Sequence, residues 1–154
     1  TCWRGQQNVS FHGEFYRFDE MVFSPTPVQP GGPPLWIAGD SKIALSRAIG
    51  LGDGWHPNGR SATILKETLK DVQSITQLRP FSIAVRLGIR LGNHLEQAQP
   101  DIISGSDQQI IQQLKEYQIA GMNYAILHFR VNSQSEREKA FTLFMNEIAP
   151  AFAE

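Results

Sequence analysis

The chain has 154 residues, 41% of them hydrophobic, and 14 Lys and Arg against 15 Asp and Glu give it a formal charge of −1. This balance argues against attachment to nucleic acid or to an anionic membrane by charge alone, so we expect neither as a partner. Its apolar runs fall far short of the roughly 20 residues that span a bilayer, and it shows no secretory h-region. Because one cysteine, Cys2, permits no internal disulfide, we expect a cytoplasmic location.

The first part of the chain, residues 1–32, is irregular in composition. The segment His12–Phe18 alternates enough to predict a short exposed hairpin or an extended arm. Five of the nine prolines then fall between Pro25 and Pro34, and such a run fixes φ and removes backbone donors, so it predicts an extended connector. We therefore divide the chain into an arm with its connector, 1–32, and a regular body, 33–154.

The body contains four strand candidates. Short apolar runs bounded by glycine and turn residues are typical of buried parallel strands, and the third candidate alternates with a strict period of two. These candidates are Leu35–Ala38, Gly54–Pro57, Ile83–Leu91 and Tyr124–Phe129.

A helical pattern follows each strand candidate. Ser41, Ser61 and either Ser106 or Asp107 are predicted N-caps, and Ser135 with Glu138 is the predicted capping box of the last helix. The apolar stripes that these helices are expected to bury are Ile43, Ala44, Leu45, Ala48 and Ile49; Leu65, Leu69, Val72 and Ile75; Ile110, Ile111, Leu114 and Tyr117; and Phe141, Phe144, Ile148 and Phe152.

Repetition of strand and helix predicts an α/β fold with parallel strands and right-handed crossovers. A (β/α)8 barrel takes about 250 residues, so four units amount to half of one. The pattern leaves two architectures open: a small open doubly wound sheet, or a half-barrel that needs a partner to close. The chain begins with Thr1 rather than methionine, which favours a piece of a longer protein.

The first site candidate is Gly39-Asp40-Ser41, between a buried strand and a helix start. The unpaired N–H groups and partial positive charge of a helix N-terminus suit a phosphate, and glycine allows close approach to the backbone. The same three residues are also ordinary cap and turn residues, so this tripeptide alone leaves both interpretations open.

The second candidate is Asn58-Gly59-Arg60-Ser61, in the loop after the next strand. This loop also precedes a helix, and Arg60 offers a fixed positive charge. Successive βα loops lie side by side at the carboxyl edge of a parallel sheet, where ligands bind. The two loops together predict a site for an anionic ligand, against the alternative of Arg60 on a solvated loop.

Other polar residues of the strands are weaker candidates. Arg86 and Arg90 share the polar face of the third strand, and Arg90 either reaches a ligand or joins an ion pair. His56 and His128 stand at strand ends, where barrel enzymes place site residues, and structural histidines are the alternative. His12 lies in the arm and His94 in a loop. No nucleophile triad, P-loop or metal-ligand spacing is visible, and we expect no metal.

Several segments in order resemble the luciferase-like monooxygenase superfamily, most strongly its deazaflavin-dependent oxidoreductase branch. The resemblance extends over nearly the whole chain. The segments that carry it are Phe11–Phe18, Pro25–Pro30, Pro33–Ser41, Ala44–Ala48, Gly52–Trp55, Gly105–Ile110, Ala120-Gly121 and Glu147–Pro150.

The resemblance implies the C-terminal half of a (β/α)8 barrel, strands five to eight. The implied cofactor is FMN or an 8-hydroxy-5-deazaflavin (coenzyme F-420), its phosphate held by the loops that match Gly39-Asp40-Ser41 and Asn58-Gly59-Arg60-Ser61. Some relatives have glycine in place of Asp40, and threonine and lysine around Asn58 and Ser61. A carboxylate beside a phosphate is unfavourable, so Asp40 is expected to contribute its N–H or to face away.

The sequence thus predicts the cofactor-binding half of an oxidoreductase or monooxygenase that transfers hydride to or from a small organic substrate. The alternative is a non-catalytic half-barrel that binds a phosphate-bearing ligand or serves only in assembly. We expect either a homo-oligomer or pairing with an N-terminal half-barrel, because a solitary half leaves strand edges open. Most residues that contact the isoalloxazine ring in similar proteins belong to the other half, so the resemblance transfers no catalytic residue to this chain.

Overall fold

Two units make up the chain, Thr1–Leu35 and Trp36–Glu154, in a computed structural model that describes residues 2–4, 8–70, 79–92, 99 and 101–153. In the first unit a short 3-10 helix, Cys2–Arg4, precedes strands β1 (Asn8–His12) and β2 (Arg17–Val22). The strands form an antiparallel hairpin, and the Gly13 amide donates to the Tyr16 carbonyl across the turn at 2.9 Å. Of the two conformations predicted for this stretch, the hairpin is the one that forms.

A parallel sheet forms the centre of the second unit. Strands β3 (Trp36–Ala38), β4 (Gly54–His56), β5 (Ser82–Leu91) and β7 (Tyr124–Phe129) lie side by side in that order, each parallel to its neighbour. These are the four predicted strands, and the α/β class with a parallel sheet is confirmed. A further strand, β6 (Ile102–Gly105), was not predicted; it pairs in parallel with the end of β5, Gly88–Leu91.

The helices of the second unit are α1 (Lys42–Leu51), α2 (Ala62–Lys70), α3 (Asp107–Ile119) and α4 (Gln134–Leu143). Ser41 is the N-cap of α1, as predicted, and Ser106 is the one of the two predicted candidates that caps α3. The predicted capping box of α4 is wrong by two residues, because Ser133 and Glu136 form it instead of Ser135 and Glu138. The Glu136 carboxylate accepts hydrogen bonds from the backbone amides of Asn132 and Ser133. These two amides lie before the first turn of α4 and have no partner within the helix, so the box at Ser133 and Glu136 satisfies them.

The chain does not continue as a regular helix after α4. Phe144–Ile148 form one turn of π-helix, in which the Ala149 amide donates to the Phe144 carbonyl, and Ala149–Phe152 form a 3-10 turn. Pro150 has no N–H to donate to Asn146, so the predicted single closing helix cannot keep its α-helical bonding there.

The core of the second unit lies between the sheet and its helices. Odd-numbered residues of β5 face the helices, as the alternation predicted, whereas Arg86 on the opposite face is exposed. Ile43, predicted to belong to the stripe of α1, is exposed. The main buried residues are Trp55, Ile83, Val85, Leu87 and Ile89 from strands, and Leu45, Ala48, Leu65, Leu69, Ile110 and Leu114 from helices.

Three residues of the sequence patterns, Val72, Ile75 and His94, lie outside the described residues. Among the helices that are described, none combines the length and the apolar character needed to cross a membrane.

Candidate functional site

The two predicted site loops lie side by side at the carboxyl edge of the sheet. Ala38 and His56, the last residues of β3 and β4, are paired in the sheet, so the loops that follow the two strands begin next to each other. The Gly39 amide donates to the His56 carbonyl at 3.2 Å, and the indole Nε1 of Trp55 donates to the Gly39 carbonyl at 2.8 Å. The buried Trp55 therefore fixes where the first loop begins.

Asp40 joins the two loops through its side chain. Its carboxylate accepts from the backbone N–H and from the side-chain Nδ2 of Asn58, each at 2.9 Å. The Arg60 Nη2 donates to the Asp40 carbonyl at 2.6 Å, and its Nε lies 3.5 Å from Asp40 Oδ1. The hydrogen bonds from Asn58 and the charge of Arg60 lower the pKa of Asp40, although partial burial opposes them. The expectation that Asp40 contributes its backbone N–H or faces away did not include this role, in which its carboxylate connects the two loops.

The two serines of the site are helix caps. Ser41 Oγ accepts from the Ala44 amide at 3.1 Å, and Ser61 Oγ accepts from the Ile64 amide at 3.4 Å. A hydroxyl that accepts in this way still has its own proton to donate. The first amides of an α-helix have no partner within the helix, so the starts of α1 and α2 both offer N–H donors here.

Each loop contains a glycine at a position where a side chain would collide with neighbouring atoms of the protein. Gly39 has a φ of +128°, and a Cβ added there would lie 2.9 Å from the Cβ of Ala44. A Cβ on Gly59 would collide with Asp101 and would lie 3.0 Å from the Arg86 carbonyl. The first loop is therefore packed against α1 and the second against β5 and the segment before β6.

Helix α3 also holds the second loop. The hydroxyl of the buried Tyr117 donates to the Arg60 carbonyl at 2.7 Å. Burial raises the pKa of Tyr117 to about 12, and the negative charges of Asp101 and Glu116 add to the effect. The sequence pattern identified Tyr117 only as part of an apolar stripe, and its contact with Arg60, 57 residues away, has no local signal.

The hydrogen-bond donors of the two loops suit a phosphate, whereas the carboxylate of Asp40 would repel one. Arg60, the two serine hydroxyls and the helix starts supply positive charge and N–H or O–H groups. The Asp40 carboxylate supplies a negative charge in the same place, and its pairing with Arg60 cancels much of that cation's charge. The chemistry that the arrangement supports is anion binding, with the helix starts as main donors.

The other predicted candidates lie apart from these loops or have a structural role. His56 Nδ1 lies 2.6 Å from the Ala84 carbonyl, a satisfied contact across the sheet. His128 is exposed on β7, and His12 pairs with Asp19 in the hairpin at 2.6 Å. Arg86 is exposed on the face of the sheet opposite the core, and Arg90 shares that face.

Known proteins similar to this chain are oxidoreductases. The profile of the luciferase-like monooxygenase family matches residues 1–102. An FMNH(2)-dependent dimethylsulfone monooxygenase of Pseudomonas putida is 32% identical over 84 residues, 54% of this chain and 23% of that protein. An F420-dependent hydroxymycolic acid dehydrogenase of Mycobacterium tuberculosis is 34% identical over 58 residues, 38% of this chain and 15% of that protein.

The fold is also similar to that of solved structures. The coenzyme F420 dependent tetrahydromethanopterin reductase from Methanopyrus kandleri superposes with a TM-score of 0.78 at 11% identity, over 99% of this chain and 60% of that one. At this identity the likeness shows the fold alone. The chain spans less than two thirds of the length of each of these three proteins.

Proposed function

Because this chain belongs to the luciferase-like monooxygenase family, we propose that it is the cofactor-binding half of a flavin- or deazaflavin-dependent oxidoreductase. The parent reaction is hydride transfer to or from a small organic substrate. The similar proteins named above depend on FMNH2 or F420, which supports either cofactor. In the proposed enzyme the four barrel strands β3, β4, β5 and β7 form half of a (β/α)8 barrel.

The proposed phosphate site consists of the β3–α1 and β4–α2 loops. The observation that carries this assignment is that Asp40 joins the two loops, because its bonds to Asn58 and Arg60 bring two helix starts and one guanidinium to a single edge of the sheet. Carboxyl edges of parallel strands are where such folds bind ligands. The residues assigned to the site are Gly39, Asp40, Ser41, Asn58, Gly59, Arg60 and Ser61.

In this proposal the bound flavin or deazaflavin supplies the redox chemistry, and the chain supplies binding and orientation. The first amides of α1 and α2 and the Ser41 hydroxyl donate to the phosphate oxygens. Arg60 is held at two points, because its guanidinium donates to the Asp40 carbonyl and its own carbonyl accepts from the Tyr117 hydroxyl. No residue of this chain is assigned to proton transfer or to contact with the substrate.

The proposed half-barrel needs a partner. Among the described residues, β3 pairs only with β4 and β7 only with β5, so each has an edge that a further strand would satisfy. We therefore propose self-association or pairing with an N-terminal half-barrel. A well-folded monomer in size-exclusion chromatography with light scattering would contradict self-association.

Cofactor titrations test the phosphate site. FMN and coenzyme F-420 are titrated separately into the protein, and their fluorescence or absorbance gives the Kd. Arg60→Ala and Ser41→Ala should each weaken binding about threefold to tenfold, the cost of one polar contact. Arg47→Ala on the exposed side of α1 is the matched control. Unchanged affinity in both site variants would refute the assignment.

The competing function is a non-catalytic module with the same site. Such a module would bind the cofactor in a way that depends on Arg60 and Ser41. It would transfer no hydride between the bound cofactor and a substrate, even with the partner half present. Turnover by the reconstituted pair would favour the enzyme, whereas binding without turnover across a panel of alcohols and sulfones would favour the module.

A further inference from the structure

Asp40 is an acidic residue within a site whose other groups suit an anion. It stands two residues after the end of β3 and one residue before the helix cap Ser41, and its Oδ1 lies 3.5 Å from Nε of Arg60, a residue assigned to the phosphate site. Its side chain is only 38% exposed, and that of its partner Arg60 is 27% exposed. The electrostatics of the proposed site must therefore include a negative charge.

The Asp40 carboxylate is held in position. Asn58 donates to both of its oxygens, to Oδ1 from the backbone and to Oδ2 from the side chain, and each distance is 2.9 Å. A side chain with both oxygens bonded to one neighbour cannot turn away without losing both bonds. These bonds also lower the pKa of Asp40, so the group keeps its charge at neutral pH.

The energy of a fixed charge acting on a ligand is proportional to the ligand's charge. A phosphomonoester such as that of FMN carries close to two negative charges above its second pKa of about 6. A phosphodiester, such as that of coenzyme F-420, carries one. At equal distance, the carboxylate therefore repels the monoester twice as strongly in free energy as the diester.

We propose that Asp40 is a specificity residue, which disfavours a doubly charged phosphomonoester relative to a singly charged phosphodiester at the site formed by the two loops. The inference rests on the proposed function, since it requires the phosphate to bind there. The site would therefore favour a cofactor with a phosphodiester, and Asp40 would set this preference.

The test compares each ligand with itself across variants, so that differences between the two ring systems cancel. Asp40→Asn and Asp40→Ser remove the charge, and Asp40→Glu keeps the charge while disturbing the bonds to Asn58. Glu138→Gln on α4, exposed and behind the far strand of the sheet, changes the net charge equally and is the control. The Kd of FMN and of coenzyme F-420 is measured for every protein at pH 8.

Removal of the charge is expected to raise the ratio of FMN affinity to F-420 affinity about threefold, because a charge effect that is tenfold on a doubly charged phosphate is about threefold on a singly charged one, whereas loss of the bonds to Asn58 acts on both ligands alike. Asp40→Glu and Glu138→Gln are expected to leave the ratio of the two affinities within twofold of the unaltered protein. Either neutral variant suffices if the other does not fold, as circular dichroism will show.

Two outcomes overturn the inference and differ in what they say of the proposed function. If both ligands bind but the neutral variants leave the ratio of the two affinities unchanged or lower it, Asp40 does not select by charge and the cofactor site stands. If neither ligand binds to the unaltered protein or to any variant, the proposed site itself is wrong, and the inference falls with it.

Discussion

The indole of Trp36 on β3 and the phenol of Tyr124 on β7 meet edge to face, with ring centroids 4.7 Å apart and planes at 70°. Two strands, β4 and β5, separate these residues in the sheet. Trp36 reaches across Gly54, where an added Cβ would lie 2.8 Å from the indole Cδ1. The contact shows that both rings lie on one face of the sheet, where the two side chains span the middle strands.

A double-mutant cycle measures this contact. Trp36→Ala, Tyr124→Ala and the double variant are unfolded with urea, and the coupling free energy is expected to be about 0.5–1.5 kcal/mol, the usual value for an aromatic pair. Trp36→Ala combined with Phe141→Ala, an exposed aromatic on α4, is the control and should be additive. Additivity of the Trp36 and Tyr124 substitutions would show that the rings do not meet.

Asn123 connects the start of β7 to the start of β5. Its Oδ1 accepts from the Ile83 amide at 2.7 Å, and its Nδ2 donates to the Phe81 carbonyl at 2.9 Å. Asn123→Ala leaves a buried amide unsatisfied, so we expect a loss of about 1–3 kcal/mol in the free energy of unfolding. Asn146→Ala, at an exposed position, should change it by less than about 0.5 kcal/mol. Equal losses in the two variants would contradict this role.

The sequence was sufficient to predict the main strands because their burial follows local patterns. The alternation of Ile83, Val85, Leu87 and Ile89 indicated both the strand and its buried face. β6 was missed because it has only two apolar residues, Ile102 and Ile103, before Ser104 and Gly105, so its pairing with the end of β5 is what identifies it as a strand. Two overlapping Ser-x-x-Glu patterns matched the start of α4, and the choice between them depended on the amides of Asn132 and Ser133.

The two site loops were found from sequence because glycine and serine after a strand are local signals. The contacts of Asp40 could not be found in this way, because they join the loops of two neighbouring strands, between residues 18 and 20 positions apart in the chain. An acidic residue at a helix start is an ordinary cap pattern, so only the register of β3 against β4 showed that it meets Asn58 and Arg60.

Acid should remove the contribution of Asp40 to stability. Its pKa in the folded protein is below its ordinary value of 3.8, so its ionised form stabilises the fold above pH 3.8, and that contribution is lost as pH falls through the folded pKa. The difference in unfolding free energy between the unaltered protein and Asp40→Asn should therefore shrink below pH 3.8. Glu147→Gln, at an exposed position in the same unit, is the control. A difference that stays constant down to about pH 2.5 would contradict the lowered pKa.

Alkali should remove the contribution of Tyr117. Its folded pKa is raised from 10.0 to about 12, so the protonated phenol stabilises the fold fully below pH 10, and this contribution disappears as pH rises from 10 to 12. The advantage of the unaltered protein over Tyr117→Phe in urea unfolding should therefore narrow across that range. Tyr16→Phe, at an exposed position of the hairpin, is the control. A constant advantage of Tyr117 up to pH 12 would contradict the predicted shift.

Amide chemical shifts measured during a cofactor titration show which backbone groups meet the phosphate, so they test its assignment to the two loops. With FMN or coenzyme F-420 added to 15N-labelled protein, the largest changes are expected at residues 39–43 and 58–63, the two loops and the first amides of α1 and α2. Inorganic phosphate should move a subset of the same signals. Saturable changes confined to other parts of the chain, with these amides unmoved, would contradict the account.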